Sequence, residues 1–249
     1  MAKLENMVGR EYVNSLGTSF IIVEYVTYKN VTVQFQDDNK FLAKTRMRNI
    51  RMGSVPNPFD KTVAGIGYIG VGKYSPTDGE KATTAYDHWR SMLLRCYCSK
   101  TQQRVPTYRG YTVCEDWLCY QNFAHWFYSS KFNDCGYHLD KDVLNNGDKV
   151  YSPETCCLIP REINNTFNTN SRNKGKYPQG VQPYGKSGKF SAKVKVGGYY
   201  KYLGVFDTQE EAYEIYKAGK EFRVKEVALK WKGKIDEKVF NVLMNWTTD

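Results

Sequence analysis

Residues 189–196 are KFSAKVKV, and this decisive stretch continues through Gly197-Gly198 into residues 199–206, YYKYLGVF. In the first segment polar and apolar residues alternate strictly, which is typical of a β-strand with one buried face. The glycine pair predicts a tight hairpin turn, so the second segment is the returning strand. Thr208 and Glu211 then have the spacing of a capping box, which predicts that a helix begins directly after the hairpin.

The two faces of this hairpin are predicted to differ in chemistry. The apolar face is Phe190, Ala192, Val194 and Val196. We expect it to pack on the following helix, whose predicted apolar face is Ala212, Ile215, Tyr216, Gly219 and Phe222. The opposite face is Lys189, Ser191, Lys193 and Lys195. A short sheet with an apolar back and a basic front suits the DNA major groove, and the alternative is a solvated charged face.

The charge distribution also favours a polyanionic partner. The chain of 249 residues has 36 Lys and Arg against 26 Asp and Glu, a net charge of +10. Counts of basic against acidic residues are 10 and 8 in residues 1–80, 10 and 9 in 81–170, and 16 and 9 in 171–249, which gives net charges of +2, +1 and +7. Because basic side chains that neutralise phosphates release counterions, the last third is predicted to bind nucleic acid.

Several classes of protein are disfavoured by the sequence. The N-terminus, MAKLENMVGREY, lacks the apolar core of a signal peptide, and no run of apolar residues is long enough to span a bilayer. We therefore expect a soluble cytoplasmic protein with no membrane partner. The seven cysteines are an odd number with no CxxC spacing, so we expect reduced thiols and no zinc.

The first half of the chain contains strands, a connector and helices. Strands are predicted at residues 20–26, 31–35 and 41–50, a small curved sheet of the SH3-like kind. A Gly- and Pro-rich connector interleaved with apolar residues follows. Amphipathic helices are predicted at residues 85–97, with Trp89, Met92, Leu93 and Cys96 on one face, and at 115–130, with Trp117, Tyr120, Ala124 and Phe127 on one face.

The C-terminal stretch resembles the AP2 DNA-binding domain over residues 176–228. The matching residues are Gly180-Val181, Gly188 to Ala192, Tyr202 to Phe206, Thr208, Glu210 to Ala212, and Tyr216. The resemblance implies three strands in the major groove backed by one helix. The strands have lysines and tyrosines in place of that family's arginines and tryptophans, and lysine does not make the bidentate guanine contact. The predicted DNA-binding residues are Lys186, Lys189, Lys193, Lys195, Tyr200 and Lys201.

A second resemblance covers the preceding region. Residues 139–147 (LDKDVLNNG), 151–156 (YSPETC) and 158–164 (LIPREIN) are similar to the core of phage-type HNH nucleases of the homing kind. That family has a ββα-metal fold, in which the first strand ends in an Asp-His pair and the helix supplies another metal ligand. By this resemblance Asp140 matches the metal-binding Asp, Lys141 stands where the His is expected, and Asn164 matches the distal ligand, with Asn165 as an alternative.

The resemblance implies one Mg²⁺ or Mn²⁺ ion, with Asp140, Asp142 and Asn164 as candidate ligands. Such hard cations prefer oxygen ligands. Three alternatives follow from Lys141 in place of His. Lys141 stabilises the charge of the phosphorane, His138 acts as the base from the same face of the strand as Asp140, or the nuclease fold is degenerate and only binds DNA.

These observations predict an α+β chain. Its expected parts are an SH3-like β module (1–55), a connector (56–80), an HNH-like ββα-metal core with flanking helices (81–172), and an AP2-like sheet with its helix and a C-terminal helix (173–249). The predicted function is a phage-type, metal-dependent endonuclease acting on double-stranded DNA in the bacterial cytoplasm. The alternative is a non-catalytic DNA-binding protein with a degenerate HNH fold. The sequence does not indicate an oligomeric state.

Overall fold

The computed structural model describes residues 7–133, 136–144, 147–167, 176–196 and 198–248. They form a mixed α+β structure with several small sheets, as predicted. The chain divides into two compact units, residues 1–125 and 126–249, and the division falls within the helix Tyr120–Ser129. The finer division into four parts stays a prediction.

The first unit begins with a four-stranded antiparallel sheet whose strands are in chain order. The strands are β1 (Glu11–Val13), β2 (Ser19–Thr27), β3 (Asn30–Phe35) and β4 (Leu42–Thr45), followed by helix α1 (Met47–Arg51). The predicted third strand is therefore shorter than expected. Met47 and Ile50, three residues apart, both face the core in α1, which a helix allows and a strand does not. The core is Phe20, Ile22, Val31, Val33, Phe35, Met47, Ile50 and Val55.

The connector is folded against its neighbours. Asn14 Nδ2 donates to Asp60 Oδ2 at 2.7 Å, which ties the connector to the sheet. Tyr68 forms a parallel bridge with Cys119, and the connector ends in the hairpin β5 (Thr77–Asp78) and β6 (Lys81–Ala82).

The helices of the first unit pack around buried tryptophans. The elements are α2 (Thr84–Tyr97), α3 (Ser99–Arg104), a 3₁₀ turn (Pro106–Tyr108), β7 (Thr112–Val113), a second 3₁₀ turn (Glu115–Leu118) and α4 (Tyr120–Ser129). The predicted face of α2 is buried, and Trp89 Nε1 donates to the Trp117 carbonyl at 2.7 Å. The helix predicted at 115–130 is interrupted at Cys119, which is extended because it pairs with Tyr68.

The second unit contains a small ββα arrangement and a three-stranded sheet backed by a helix. The elements are β8 (Tyr137–Asp140), β9 (Val150–Tyr151), β10 (Cys157–Pro160), α5 (Arg161–Phe167), β11 (Val181–Tyr184), β12 (Lys189–Val196), β13 (Tyr199–Phe206), α6 (Gln209–Lys230) and α7 (Glu237–Met244). β8 pairs antiparallel with β10, and β12 is central between β11 and β13.

The predicted hairpin and its helix are confirmed, with one correction. Thr208 and Glu211 form the capping box, and Ala192, Val194, Ala212 and Tyr216 share one core. The predicted helix face was wrong at Ile215 and Phe222, which are 41% and 67% exposed. The helix continues to Lys230, and its later buried positions are Lys220, Val224, Val227 and Ala228. They share the face of Ala212 and Tyr216.

Candidate functional site

The ββα arrangement places His138 and Asp140 on one face of β8. In the antiparallel register His138 lies opposite Ile159, and Asp140 opposite Cys157. The alternate residues of β8, Tyr137 and Leu139, are buried on the other face. The sharing of a face by His138 and Asp140, predicted from alternation, is therefore confirmed.

Helix α5 brings Asn164 to His138. The chain enters α5 directly from β10, and the helix buries Ile163. The Asn164 amide then lies 3.3 Å, measured from Nδ2, from Nδ1 of His138. Asn165, the alternative ligand, is exposed. Of the two asparagines, Asn164 is the one that joins the strand residues.

Asp140 ends β8 and organises the turn that follows. Its Oδ1 accepts the backbone N–H groups of Asp142 and Val143, both at 2.9 Å. Within the described residues no donor contacts its second oxygen, Oδ2. Burial raises the pKa of Asp140, and the nearby Asp142 carboxylate raises it further. The backbone N–H groups and Lys141 lower the pKa, but they offset the rise only in part. Asp140 is thus a desolvated carboxyl group with one oxygen open.

Lys141 points into the protein and away from solvent. Its side chain is 5% exposed, and Nζ lies 2.7 Å from Asp142 Oδ1 and 3.3 Å from the Asp148 carbonyl. Nζ is also 5.8 Å from the centre of the Tyr151 ring. Asp142, one of the predicted metal ligands, is 76% exposed and paired with this ammonium group. A cation on Asp142 would meet the charge of Lys141, so the geometry favours Asp140 and Asn164 as the oxygen ligands.

The outer face of the three-stranded sheet combines lysines and tyrosines. Directly paired residues of neighbouring strands share a face of the sheet. The residues on the face opposite α6 are called the outer sheet face below. They are Gln182 and Tyr184 of β11, Lys189, Ser191, Lys193 and Lys195 of β12, and Tyr200, Tyr202 and Val205 of β13.

Contacts on the outer sheet face hold some lysines in place. Lys193 Nζ donates to Gln182 Oε1 at 2.7 Å and lies 4.9 Å from the centre of the Tyr200 ring. Lys189 forms an exposed ion pair with Asp207 at 2.8 Å. Lys195 lies opposite Tyr200 and forms no ion pair within the described residues.

The remaining predicted DNA-binding residues lie elsewhere. Lys201 is opposite Val194, which is buried against α6, so its side chain leaves the sheet on the other face. Lys186 lies in the turn between β11 and β12. An extra residue in β13, opposite the step from Ala192 to Lys193, shifts the register and accounts for the placement of Lys201.

A polar cluster on α5 and α6 was not predicted. Glu162 accepts from Arg223 at 3.1 Å, from Lys230 at 2.6 Å and from Trp231 Nε1 at 3.0 Å. Burial alone would raise the pKa of Glu162, but the hydrogen bonds from Lys230 and Trp231 and the two positive charges outweigh it, so the pKa is lowered. Lys220, also buried, donates to the Thr166 carbonyl near the end of α5.

Comparisons with known proteins give no relative to reason from. The chain matches no protein-family model, no curated protein and no solved structure. Among the residues that the structure describes, no helix has the length and apolar character needed to cross a membrane. In the same residues, no three His, Cys, Asp or Glu side chains come close enough together to hold a metal ion.

Proposed function

We propose that this chain binds double-stranded DNA through the outer sheet face and hydrolyses its phosphodiester bonds at the His138–Asp140–Asn164 site. The observation that carries the proposal is the contact between Asn164 and His138, on the strand face that also bears Asp140. In this proposal the N-terminal sheet is SH3-like, the ββα arrangement is HNH-like, and the C-terminal sheet with α6 is AP2-like.

The outer sheet face supports the DNA-binding part of the proposal. Its lysines and tyrosines offer charge to phosphates, apolar area to sugars and hydroxyl groups to either. Asp207, its acidic neighbour, is paired with Lys189. The face is thus suited to a polyanion more than to a neutral ligand.

The donor set of the site fits one Mg²⁺ or Mn²⁺ ion. The open Oδ2 of Asp140 and the Asn164 amide would hold it, and such an ion ordinarily keeps waters and substrate phosphate oxygens as its other ligands, so a second acidic side chain is not required. When bound, the ion polarises the scissile phosphate and stabilises the leaving oxygen.

His138 is the base in this proposal. Its ring lies beside Asn164, and within the described residues no hydrogen bond occupies Nε2. With the Asn164 Nδ2 facing Nδ1, the proton of the neutral ring is on Nε2. A half-turn of the amide lets one lone pair of Oδ1 accept an Nδ1–H group while the other remains for the metal, and Nε2 is then free to take the proton of the attacking water.

The burial of Lys141 supports His138 over Lys141 as the reactive group. A phosphate at the surface could reach the Lys141 ammonium only if Lys141 left Asp142 and the Asp148 carbonyl. Lys141 instead positions the turn that follows Asp140.

The pairing of Asp142 with Lys141 favours a second candidate function. It leaves Asp140 as the carboxylate available at the site, which is also what a nuclease fold that has lost its metal would show. In that case the chain is a DNA-binding protein that regulates or protects DNA and does not cut it.

Incubation with supercoiled plasmid decides between the two functions. We expect nicked or linear DNA with Mg²⁺ or Mn²⁺ and intact plasmid with EDTA. Binding without cleavage in both metals would favour the non-catalytic function. A chain that binds no duplex DNA would overturn both.

A matched pair of double variants tests the outer sheet face. Lys193→Ala with Lys195→Ala should weaken binding on many sequences alike and lower the salt dependence by about 0.9 per lost phosphate contact. The control is Lys201→Ala with Lys238→Ala, which removes the same charge away from the outer sheet face. Equal losses in the two variants would mean that only the net charge matters.

A further inference from the structure

The N-terminal sheet carries a basic surface that the site does not use. Arg46 precedes α1, and Arg48 and Arg51 lie on its exposed side, while Met47 and Ile50 anchor the helix in the core. Arg48 and Arg51 are three residues apart and are therefore neighbours on the helix surface. The three exposed arginines therefore lie within one six-residue segment that the core holds through Met47 and Ile50.

Two lysines extend this surface. The Met47 N–H donates to the Tyr28 carbonyl at 2.9 Å, which brings the β2–β3 turn, with exposed Lys29, beside the start of α1. Exposed Lys44 is the penultimate residue of β4, opposite Thr32. Lys29, Lys44, Arg46, Arg48 and Arg51 are called the α1 surface below.

In the part of the chain that the structure describes, the cations of the α1 surface are not paired with acidic side chains. Within the described residues, none of its five side chains forms an ion pair with a carboxylate or donates a hydrogen bond to one. Glu24 lies in the same row of the sheet as Lys44, but its carboxylate accepts the Thr32 hydroxyl at 2.7 Å. Asp37 lies beyond the other end of β4 and accepts from Asn57.

We infer that the α1 surface is a second DNA-binding site, which contacts the phosphate backbone of duplex DNA. Arginine offers a planar fork to phosphate oxygens. Five residues of helix extend about 7.5 Å, and the two strands of a duplex together present one charge per about 1.7 Å of its axis, so about four phosphate charges lie along that length. Three arginines match this charge density.

The α1 surface offers contacts to phosphate without base reading. Its members are all cationic, and its central elements are a five-residue helix and a strand end, with no long element to enter a groove. The contacts would therefore raise affinity on all sequences and increase the salt dependence of binding. The inference rests on the proposed DNA binding and extends it to a second surface of the chain.

A triple variant of the full chain tests the inference. Arg46→Gln, Arg48→Gln and Arg51→Gln together should weaken duplex binding on the order of ten- to a hundredfold near 100 mM salt, and should reduce the salt slope by about 2.7. The hydroxyl-radical footprint should lose protected backbone positions and keep those that the Lys193 and Lys195 variant loses. The corresponding triple Arg→Lys variant should retain the slope, because the charges remain.

The matched control removes three other exposed arginines of the same unit. These are Arg90, Arg104 and Arg109, changed to Gln. Circular dichroism and thermal unfolding verify that each variant is folded. Equal losses from the two triple variants, or no loss from the α1 variant, would overturn the inference while the outer sheet face still binds DNA. Polyglutamate that binds the α1 surface as tightly as duplex DNA does would also overturn the inference, in favour of an acidic protein partner.

Discussion

Asp140 combines two roles at the scale of single residues. One carboxylate oxygen holds the turn through the N–H groups of Asp142 and Val143, and the other is open. A substitution such as Asp140→Ala therefore removes a metal ligand and disrupts the turn at once, and the two effects cannot be told apart. Asn at this position keeps one oxygen for the turn and replaces the open oxygen with an NH2 group, so it removes the charge and the ligand without disrupting the turn.

We expect Asp140→Asn to abolish cleavage and leave DNA binding intact or tighter, because a negative charge is removed from the neighbourhood of phosphates. Plasmid nicking and binding titrations measure the two effects. The control is Glu154→Gln, an exposed carboxylate in the segment between β9 and β10. Cleavage at the wild-type rate by the Asp140 variant would remove Asp140 from the mechanism.

The raised pKa of Asp140 gives a second expectation for the same variant. The folded state holds this proton more tightly than the unfolded chain, so ionisation above the ordinary value of 3.8 lowers the free energy of unfolding. Without divalent cations, Asp140→Asn should be more stable than the wild type at neutral pH, and the difference should vanish at low pH. Added Mn²⁺ should raise the melting temperature of the wild type alone. Thermal unfolding with and without Mn²⁺ checks both.

Substitutions of His138 and Lys141 should distinguish a catalytic role from a structural one. His138→Ala should lower cleavage by about 10²-fold or more, as for a lost general base. Lys141→Met should instead reduce stability by about 1–3 kcal/mol, because Asp142 and the Asp148 carbonyl lose their partner, and leave most of the cleavage rate in the folded fraction. Single-turnover cleavage below the melting temperature distinguishes them. A hundredfold loss for folded Lys141→Met would restore Lys141 as the group that stabilises transition-state charge.

The sequence predicted part of the site at this scale. Alternation alone placed His138 and Asp140 on one face, because side chains in a strand have a period of two. The burial of Lys141 was not predictable, since it depends on a turn that brings Asp148 and Tyr151 around the ammonium group. No local pattern in LDKD distinguishes a buried lysine from a solvated one.

At the scale of elements, the hairpin and its helix were the most predictable part. Strict alternation, a glycine pair and a capping box all act within a few residues, so they specify β12, β13 and the start of α6 without distant partners. The exposure of Phe222 was not predictable. The face that Ala212 and Tyr216 begin continues through Lys220 and Val224, and Phe222 lies off it. Because Lys220 is a charged residue on the buried face of α6, a search for apolar residues at helical spacing does not find this face.

The Glu162 cluster links α5 to α6 and makes stability depend on pH. The lowered pKa of Glu162 means that its ionised form is stabilised in the folded state. This contribution to the free energy of unfolding is present above the ordinary pKa of 4.5 and is lost as pH falls through the lowered pKa. Glu162→Gln should be less stable than the wild type at neutral pH, and the gap should narrow in acid. Urea unfolding at a series of pH values measures it.

Glu226→Gln is the matched control for this prediction. Glu226 pairs with Arg223 at 2.7 Å but forms no hydrogen bond or ion pair with Lys230 or Trp231 among the described residues, and its side chain is 54% exposed. An exposed pair contributes little, so the control should change stability by less than about 1 kcal/mol. A gap for Glu162→Gln that is constant with pH would mean that packing, and not charge, holds the two helices.

At the scale of the second unit, α6 connects the two proposed activities. Its first half backs the sheet through Ala212 and Tyr216, and its second half holds α5 through Arg223 and Lys230. The helix is uninterrupted over 22 residues, about 33 Å at 1.5 Å per residue. Such long-range arrangement was not predictable from the sequence, because the pairing of Glu162 with residues more than sixty positions away has no local pattern.

A continuous α6 predicts that cleavage occurs at a fixed distance from the groove that the sheet contacts. This helix packs on the sheet and is bonded to α5, which carries Asn164, so DNA on the outer sheet face should reach the site at a fixed distance. On a duplex selected for binding from a random pool in EDTA, metal-dependent cuts should fall at one position, within about two nucleotides, relative to the edge of the footprint.

A variant with Glu162→Ala and Lys220→Met weakens the bonds between α5 and α6. It should spread the cuts while the footprint stays unchanged, because the residues of the outer sheet face are untouched. Sequencing of the cleaved ends measures the spread. Scattered cuts by the wild type beside a sharp footprint would show that the site moves independently of the sheet, and that α6 does not set the distance.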